Sequence, residues 1–331
     1  MSLNKNQLTC GFVKEFASPF SLLDEIVQLI LRLSWGVEAL DRGVSGTTVA
    51  KVTNSLRFSG DFGFDQFLAR VSVDLLLTGV ATLLVSEVTH SSRCFGLSWI
   101  NPERVEVNPH WWSGAASDIP AYVYWSAPNC ADLLPKEHLL VIPAIPQVEP
   151  MLQLAPIEMQ AIAIAQVLGM KGVRFTPVSL PNWMDKQLDI DRRDCSKVLP
   201  TYSGLVDRIK SVVKMGSDEQ VDLLRQWLIH PGTIPSGEDW IKWFNAIILE
   251  GLHYAVVSHF SLPLDNPEAL IIQEQLATIS SDPRLTEIAT CLALSLAYHL
   301  EQGLLGSYGC RLRFLHVPET TVDVSSQASS V

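Results

Sequence analysis

The sequence predicts an α+β fold, and three observations carry that reading. Apolar residues recur at helical spacing over residues 21–33, 64–78, 239–260 and 283–302. Between them, residues 80–142 hold short β-branched runs separated by turn residues rather than by helices. Strands that follow one another in this way pair as hairpins and meanders, which separates α+β from βαβ folds. The third observation is compositional: of 331 residues, 47% are hydrophobic and only 18% charged, far from the signature of intrinsic disorder.

The elements follow in order. Leu22, Leu23, Ile26, Val27, Ile30 and Leu33 place a first helix over 21–33, and residues 41–48 read as a polar connection. Phe64, Phe67, Leu68, Val71 and Leu75 share one face of a second helix, with Gly79 set to close it in the left-handed region. Val80 to Val88 and Cys94 to Ile100 read as a hairpin about the turn His90-Ser91-Ser92-Arg93. Short strands are expected at Val105–Val107, Ala121–Trp125 and His138–Ile142.

Pro156 then opens a helix to about Gly172, with Glu158 complementing its dipole. Its apolar residues nearly encircle it, so it is expected to be buried on most sides. Residues 175–235 change character, with five prolines and eight basic residues balanced by eight acidic ones. They read as an inserted, solvent-facing or partner-facing subdomain, with short helices at Gly204–Lys214 and Ser217–Ile229. A long apolar helix returns at Asp239–Phe260 and stops at Ser261-Leu262-Pro263-Leu264. Asn266-Pro267 and Asp282-Pro283 each open a further helix, as cap and first-turn proline. Gly303 stops the last helix, Arg311 to Val317 alternates weakly as a strand, and the Ser-rich tail is expected to be disordered.

The balance of 24 Lys and Arg against 35 Asp and Glu gives a formal net charge of −11. That argues against tight binding of nucleic acid, which draws on many basic side chains. A mean hydropathy of +0.21 suggests either a large core or surface hidden in an oligomer. The six cysteines, at 10, 94, 130, 195, 291 and 310, contain no C-x-x-C pair and read as buried thiols in a reducing compartment. No secretory leader is expected from Met1-Ser2-Leu3-Asn4, and the apolar run 139–145 is too short to cross a membrane.

Motifs for chemistry are missing from the sequence. There is no G-x-x-x-x-G-K-[ST] phosphate loop, and Gly43-Val44-Ser45-Gly46 does not fit a nucleophile elbow. His253 and His259 stand six apart, on different helix faces. Asp185, Asp189, Asp191 and Asp194 are interrupted by Arg192 and Arg193, so a solvated charged face is the simpler reading than a cation loop. Trp111-Trp112 and Trp183 suit either interface anchors or local packing. No catalytic residue, cofactor site or metal site is expected.

Several short motifs stand in a telling order. Leu75-Leu76-Leu77-Thr78-Gly79-Val80-Ala81 is an apolar helix closed by glycine before a strand. Leu97 to Val107, with Asn101-Pro102, is strand, proline, then short strand. Tyr122–Trp125 and Glu137–Ile142 follow, then Ala155-Pro156-Ile157, then His259-Phe260-Ser261-Leu262-Pro263-Leu264. Over about residues 25–315 this order resembles the portal protein, or head–tail connector, of tailed bacteriophages, in its most widespread long-tailed-phage family.

The resemblance implies a portal fold. Its α/β wing would comprise residues 1–150 and 267–317, with a reduced or absent crown and a disordered tail at 318–331. Two stem helices, at 151–174 and 237–260, would flank a clip at 175–236. It implies a homo-oligomeric ring, a dodecamer, at one capsid vertex of the virion, assembled in the host cytoplasm beside the major capsid protein. Double-stranded DNA would pass through its channel during packaging and ejection. Ser261, Leu262, Pro263, Leu264, Asp265 and Asn266 would form the DNA-facing tunnel loop. The clip would dock the terminase and neck or adaptor proteins, with Trp183, Arg192, Arg193 and Lys197 as docking candidates. The terminase hydrolyses ATP in that family, so no enzyme activity or membrane association is expected. An acidic channel wall would let DNA slide rather than stick. Two other readings stay open: an α+β enzyme whose site is assembled from scattered Asp, Glu and His, and another oligomeric virion protein.

Overall fold

The computed structural model describes residues 22–58, 63–88, 92–107, 122–127, 130–144, 156–170, 202–229, 237–258, 260 and 264–315. Within these the protein is mixed α+β, with every strand pairing antiparallel.

Helix α1 (Leu22–Leu31) buries Leu22, Ile26, Leu29 and Ile30, as its spacing predicts. Strand β1 (Trp35–Ala39) follows, then helix α2 (Gly46–Arg57), and neither was expected from the sequence. The last three residues of the polar connection at 41–48 are therefore helix. Ser45 caps α2 by accepting the Thr48 N–H at 3.1 Å. Inside α2, the Ser55 hydroxyl accepts from the backbone N–H groups of Cys94 and Phe95, tying the helix to the hairpin that follows. Helix α3 (Phe64–Leu77) buries the whole predicted face of Phe64, Phe67, Leu68, Val71 and Leu75. Gly79, at φ 76°, takes the left-handed turn that sends the chain directly into a strand.

Strands β2 (Val80–Glu87) and β3 (Phe95–Ile100) form the expected hairpin, with Leu84 opposite Ser98. Strands β4 (Val105–Val107), β5 (Tyr122–Ala127), β6 (Cys130–Leu134) and β7 (Leu139–Pro143) complete two sheets. One has the order β3-β2-β7 and the other β4-β5-β6. Strand β6 escaped the sequence reading because four of its five residues are exposed, leaving no apolar alternation to see. A small separate core joins the two sheets, with Ile100 and Leu139 from the first and Val105 and Tyr122 from the second.

Helix α4 (Pro156–Val167) is shorter than expected: the chain turns at Gly169 rather than running on to 172. Helices α5 (Tyr202–Val213) and α6 (Asp218–Ile229) fall where the sequence places them. Helix α7 (Glu238–Val257) buries Trp240, Phe244, Ile247, Ile248, Leu252, Ala255 and Val256 on its predicted face. Helix α8 (Pro267–Ala277) and helix α9 (Pro283–Gly303) start on Asn266 and Asp282 caps with proline in the first turn. Strand β8 (Cys310–Phe314) then pairs with β1, Trp35 opposite Phe314 and Ala39 opposite Cys310, so the first strand is joined to the last.

Helix α9 is the centre of the molecule. It packs against α1, α7, α8, β7 and β8, and the Ser295 hydroxyl donates to the Pro143 carbonyl at 3.0 Å. A single large apolar cluster runs from Leu22 in α1 to Phe314 in β8. It includes Leu205, Ile209, Leu224 and Trp227, so part of the stretch read as solvent-facing belongs to the main core. The cysteines also divide: Cys291 and Cys310 are buried as expected, Cys94 is half-buried and Cys130 is exposed. Cys130 stands at the start of the exposed strand β6, which corrects its reading as a buried thiol. Cys10 and Cys195 lie outside the described residues, as do Trp111, Trp112, the turn at 89–91 and residues 316–331.

Candidate functional site

The two strongly apolar helices of the sequence, α4 and α7, come together. They pack on each other, and α5 packs on both. Their close approach is set by Gly251, where an added Cβ would lie 2.8 Å from Cγ of Gln160. Gln160 is fully buried, and its amide N and O both lack a hydrogen-bond partner among the described residues. A buried amide in that state costs stability of order 1–3 kcal/mol. The apolar contacts around it offset that cost.

Aromatic residues lock α6 and α7 together. Trp240 stacks on Phe244 with ring centroids 5.1 Å apart, and Trp227 meets the same Phe244 edge-on at 5.4 Å. The Trp240 indole N–H donates to the Gln220 carbonyl at 3.3 Å. The Trp243 indole N–H donates to the Val212 carbonyl at 3.2 Å, adding α5 to the assembly. The helices between 202 and 229 are thus fastened to α7 by both packing and hydrogen bonds.

Charged side chains stitch the same helices on their outer side. Glu250 of α7 pairs with Arg208 of α5 at 3.3 Å and with Arg284 of α9 at 3.6 Å. Arg284 also reaches Asp282 at 2.9 Å, and that hydrogen-bonded pairing holds the Asp282 carboxyl below its usual range. One turn on, His253 Nε2 lies 2.6 Å from Glu287 Oε2. These partly exposed pairs each contribute about 0–1 kcal/mol, so their role is alignment more than stability.

A second network closes the β1–β8 ribbon. Glu38 accepts from Arg311 and Arg313 at 3.0 and 2.9 Å, while Arg313 also approaches Glu268 at 3.8 Å. The two carboxyls respond in opposite directions. Burial pushes Glu38 up, but the arginine hydrogen bonds outweigh it and its pKa falls. At Glu268 burial dominates the more distant arginine, and the pKa rises.

Of the loop expected at 261–266, the described part is Leu264, half-buried, Asp265, exposed, and Asn266. The Asn266 side chain accepts the Ala269 N–H at 2.8 Å, fixing how the loop enters α8. Ser261, Leu262 and Pro263 lie outside the described residues, and so do Trp183, Arg192, Arg193 and Lys197. The structure therefore brings together the two apolar helices, while the individual candidates in the insertion lie outside the described residues. Sequence reasoning missed the Glu250–Arg284–Arg208 bridge, whose members are distant in the chain. Among the described residues, no group of three or more His, Cys, Asp or Glu is placed to hold a metal ion. No helix among them is long and apolar enough to cross a membrane.

No protein-family model matches this chain, and no curated protein matches it. Among solved structures it is similar to an HK97 family phage portal protein from Corynebacterium diphtheriae, at 11% sequence identity. That likeness covers 95% of this chain and 96% of the other, with a TM-score of 0.38.

Proposed function

We propose that this chain is a portal protein of a tailed bacteriophage, a ring-forming conduit for double-stranded DNA rather than a catalyst. One observation carries the reading: two apolar helices, α4 and α7, pack on each other although residues 168–237 separate them in the chain. A helix pair interrupted by a long polar insertion is what a stem and clip require. The collinear motifs of strand, proline, strand, stem helix and loop support it from the sequence side.

On this reading residues 1–150 and 267–317 are the wing, 151–174 and 237–260 the stem, and 175–236 the clip. Helices α5 and α6 form the base of the clip, anchored on α7 through Trp227 and Trp243. Residues 171–201, including Trp183, Arg192, Arg193 and Lys197, reach the terminase and later the neck or adaptor protein. Residues 261–266 face the DNA, and the Asn266 cap sets where α8 leaves that loop. The ring sits at a capsid vertex among copies of the major capsid protein. The net charge of −11 keeps the channel from gripping phosphates, so DNA slides.

Negative-stain electron microscopy of the purified full chain, alone and co-expressed with scaffold or capsid protein, tests the proposal. Rings with a central channel are expected. A monodisperse monomer under every one of those conditions overturns it.

A further inference from the structure

The chain carries two exposed surfaces of opposite character, on elements that flank one ribbon. The first is α2. Residues 43–58 contain no Asp or Glu, while Lys51 and Arg57 are present and Arg57 is exposed. Phe58, which ends the helix, is 63% exposed, and the Arg93 guanidinium lies over its ring at 5.9 Å. The Asn54 side-chain amide donates to the Ser92 carbonyl, so helix and hairpin present Arg57, Phe58 and Arg93 as one patch.

The second surface is α8. Residues 243–283 contain no Lys or Arg. On α8 and its flanks Asp265 and Glu274 are exposed. Leu270 is 49% exposed and Ile279 37%. Leu315, 48% exposed, is held beside this helix by the hydrogen bond from the Gln275 amide to its carbonyl. Among the described residues, three of the eight large exposed apolar side chains thus lie on or beside one acidic helix.

Each patch has an apolar anchor, and their charges are opposite. They sit on different elements: α2 packs against β1 and α8 against β8, the two partners of the ribbon. The geometry points to a contact between α2 of one copy and α8 of the next, with Phe58 set against Leu270 and Ile279, and with Arg57 and Arg93 facing Asp265 and Glu274. A contact between two different patches can repeat head-to-tail from copy to copy, and that repetition builds a ring where the rotation closes. The occupant is a second copy of this chain. This inference rests on the ring reading above and supplies the interface that reading needs. An exposed aromatic with neighbouring arginine is the kind of pair that dominates interface energetics.

The test uses the full chain and sedimentation velocity across a concentration series. Arg57→Glu and Glu274→Lys should each raise the concentration needed for assembly by roughly tenfold or more. The double variant should recover wild-type assembly, because each interface then regains opposite charges. Circular dichroism confirms that each variant folds. Hydrogen exchange on the wild type needs no variant: residues 46–58 and 267–279 should be protected in the ring relative to dissociated protein. If the wild type never assembles, the ring reading fails, and this contact with it. If the wild type forms rings but neither single substitution weakens them, or protection is missing from both helices, this contact alone is overturned. Two weakened single variants with no recovery in the double show that the patches do not face each other, and overturn it as well.

Discussion

His299 shows how much one side chain can be made to do by burial. Desolvation lowers its pKa to about 4, and its Nε2 is buried without a partner among the described residues. The folded protein therefore keeps the ring neutral well below pH 6.5, while the unfolded chain takes up a proton there. The stabilisation is fully present above pH 6.5 and is lost as pH falls towards 4. At the acid end the loss amounts to about 2–3 kcal/mol. Urea denaturation between pH 7 and pH 4 should show this decline, and His299→Gln should flatten it. An unchanged acid limb in that variant would assign the decline to other groups. Glu268, whose pKa burial raises, acts in the opposite direction: its stability cost is relieved as it protonates.

At the scale of elements, the α4–α7 contact depends on Gly251 fitting against Gln160. Alanine favours a helix over glycine by about 1 kcal/mol. Here its methyl group would meet Gln160 at 2.8 Å inside a packed core, and overpacking costs about 1–3 kcal/mol. Gly251→Ala should therefore destabilise the protein, and adding Gln160→Ala should recover part of the loss. A double-mutant cycle by chemical denaturation reads the coupling directly, and additive effects would contradict the contact.

The same elements show what the sequence makes legible. The faces of α3 and α7 were readable because helical periodicity is local and both are half-buried along their length. The Asn266 and Asp282 caps were readable because cap and first-turn proline are neighbours in sequence. Strand β1 was not, since it is only five residues long and its partner is 271 or more residues away in the chain. Helix α2 was hidden by Thr47, Thr48, Val49 and Thr53, β-branched residues that weaken helix propensity. Its usable signal was the Ser45–Thr48 cap. For the candidate site, the apolar helix pair was legible. The Arg208–Glu250 bridge joins residues 42 apart and leaves no local pattern.

At the scale of the whole molecule, the composition takes on structural meaning. A hydrophobic share of 47% fills one cluster that spans α1 to β8, including helices of the polar insertion. The insertion is therefore coupled to the body through the main core. Trp227→Ala should loosen α6 from α7 at a cost of about 3–5 kcal/mol. One cooperative urea transition for wild type is the expected result. An early, separate transition for 202–229 in the wild type would show that these helices fold independently.

The β1–β8 ribbon bears on how the chain comes off the ribosome. Arg311 and Glu38, paired across it, are 273 residues apart. Strand β1 leaves the exit tunnel well before its partner and must wait, with its edge open, until residues 310–314 have been made. Helix α9, the hub of the core, is also translated late. Contacts of such long sequence separation make folding slow, and open strand edges invite aggregation in the interval. A message truncated before codon 310 would yield a chain with no strand to close the ribbon. Strand β8 thus covers an edge of β1 that stays open in any chain stopped before residue 310.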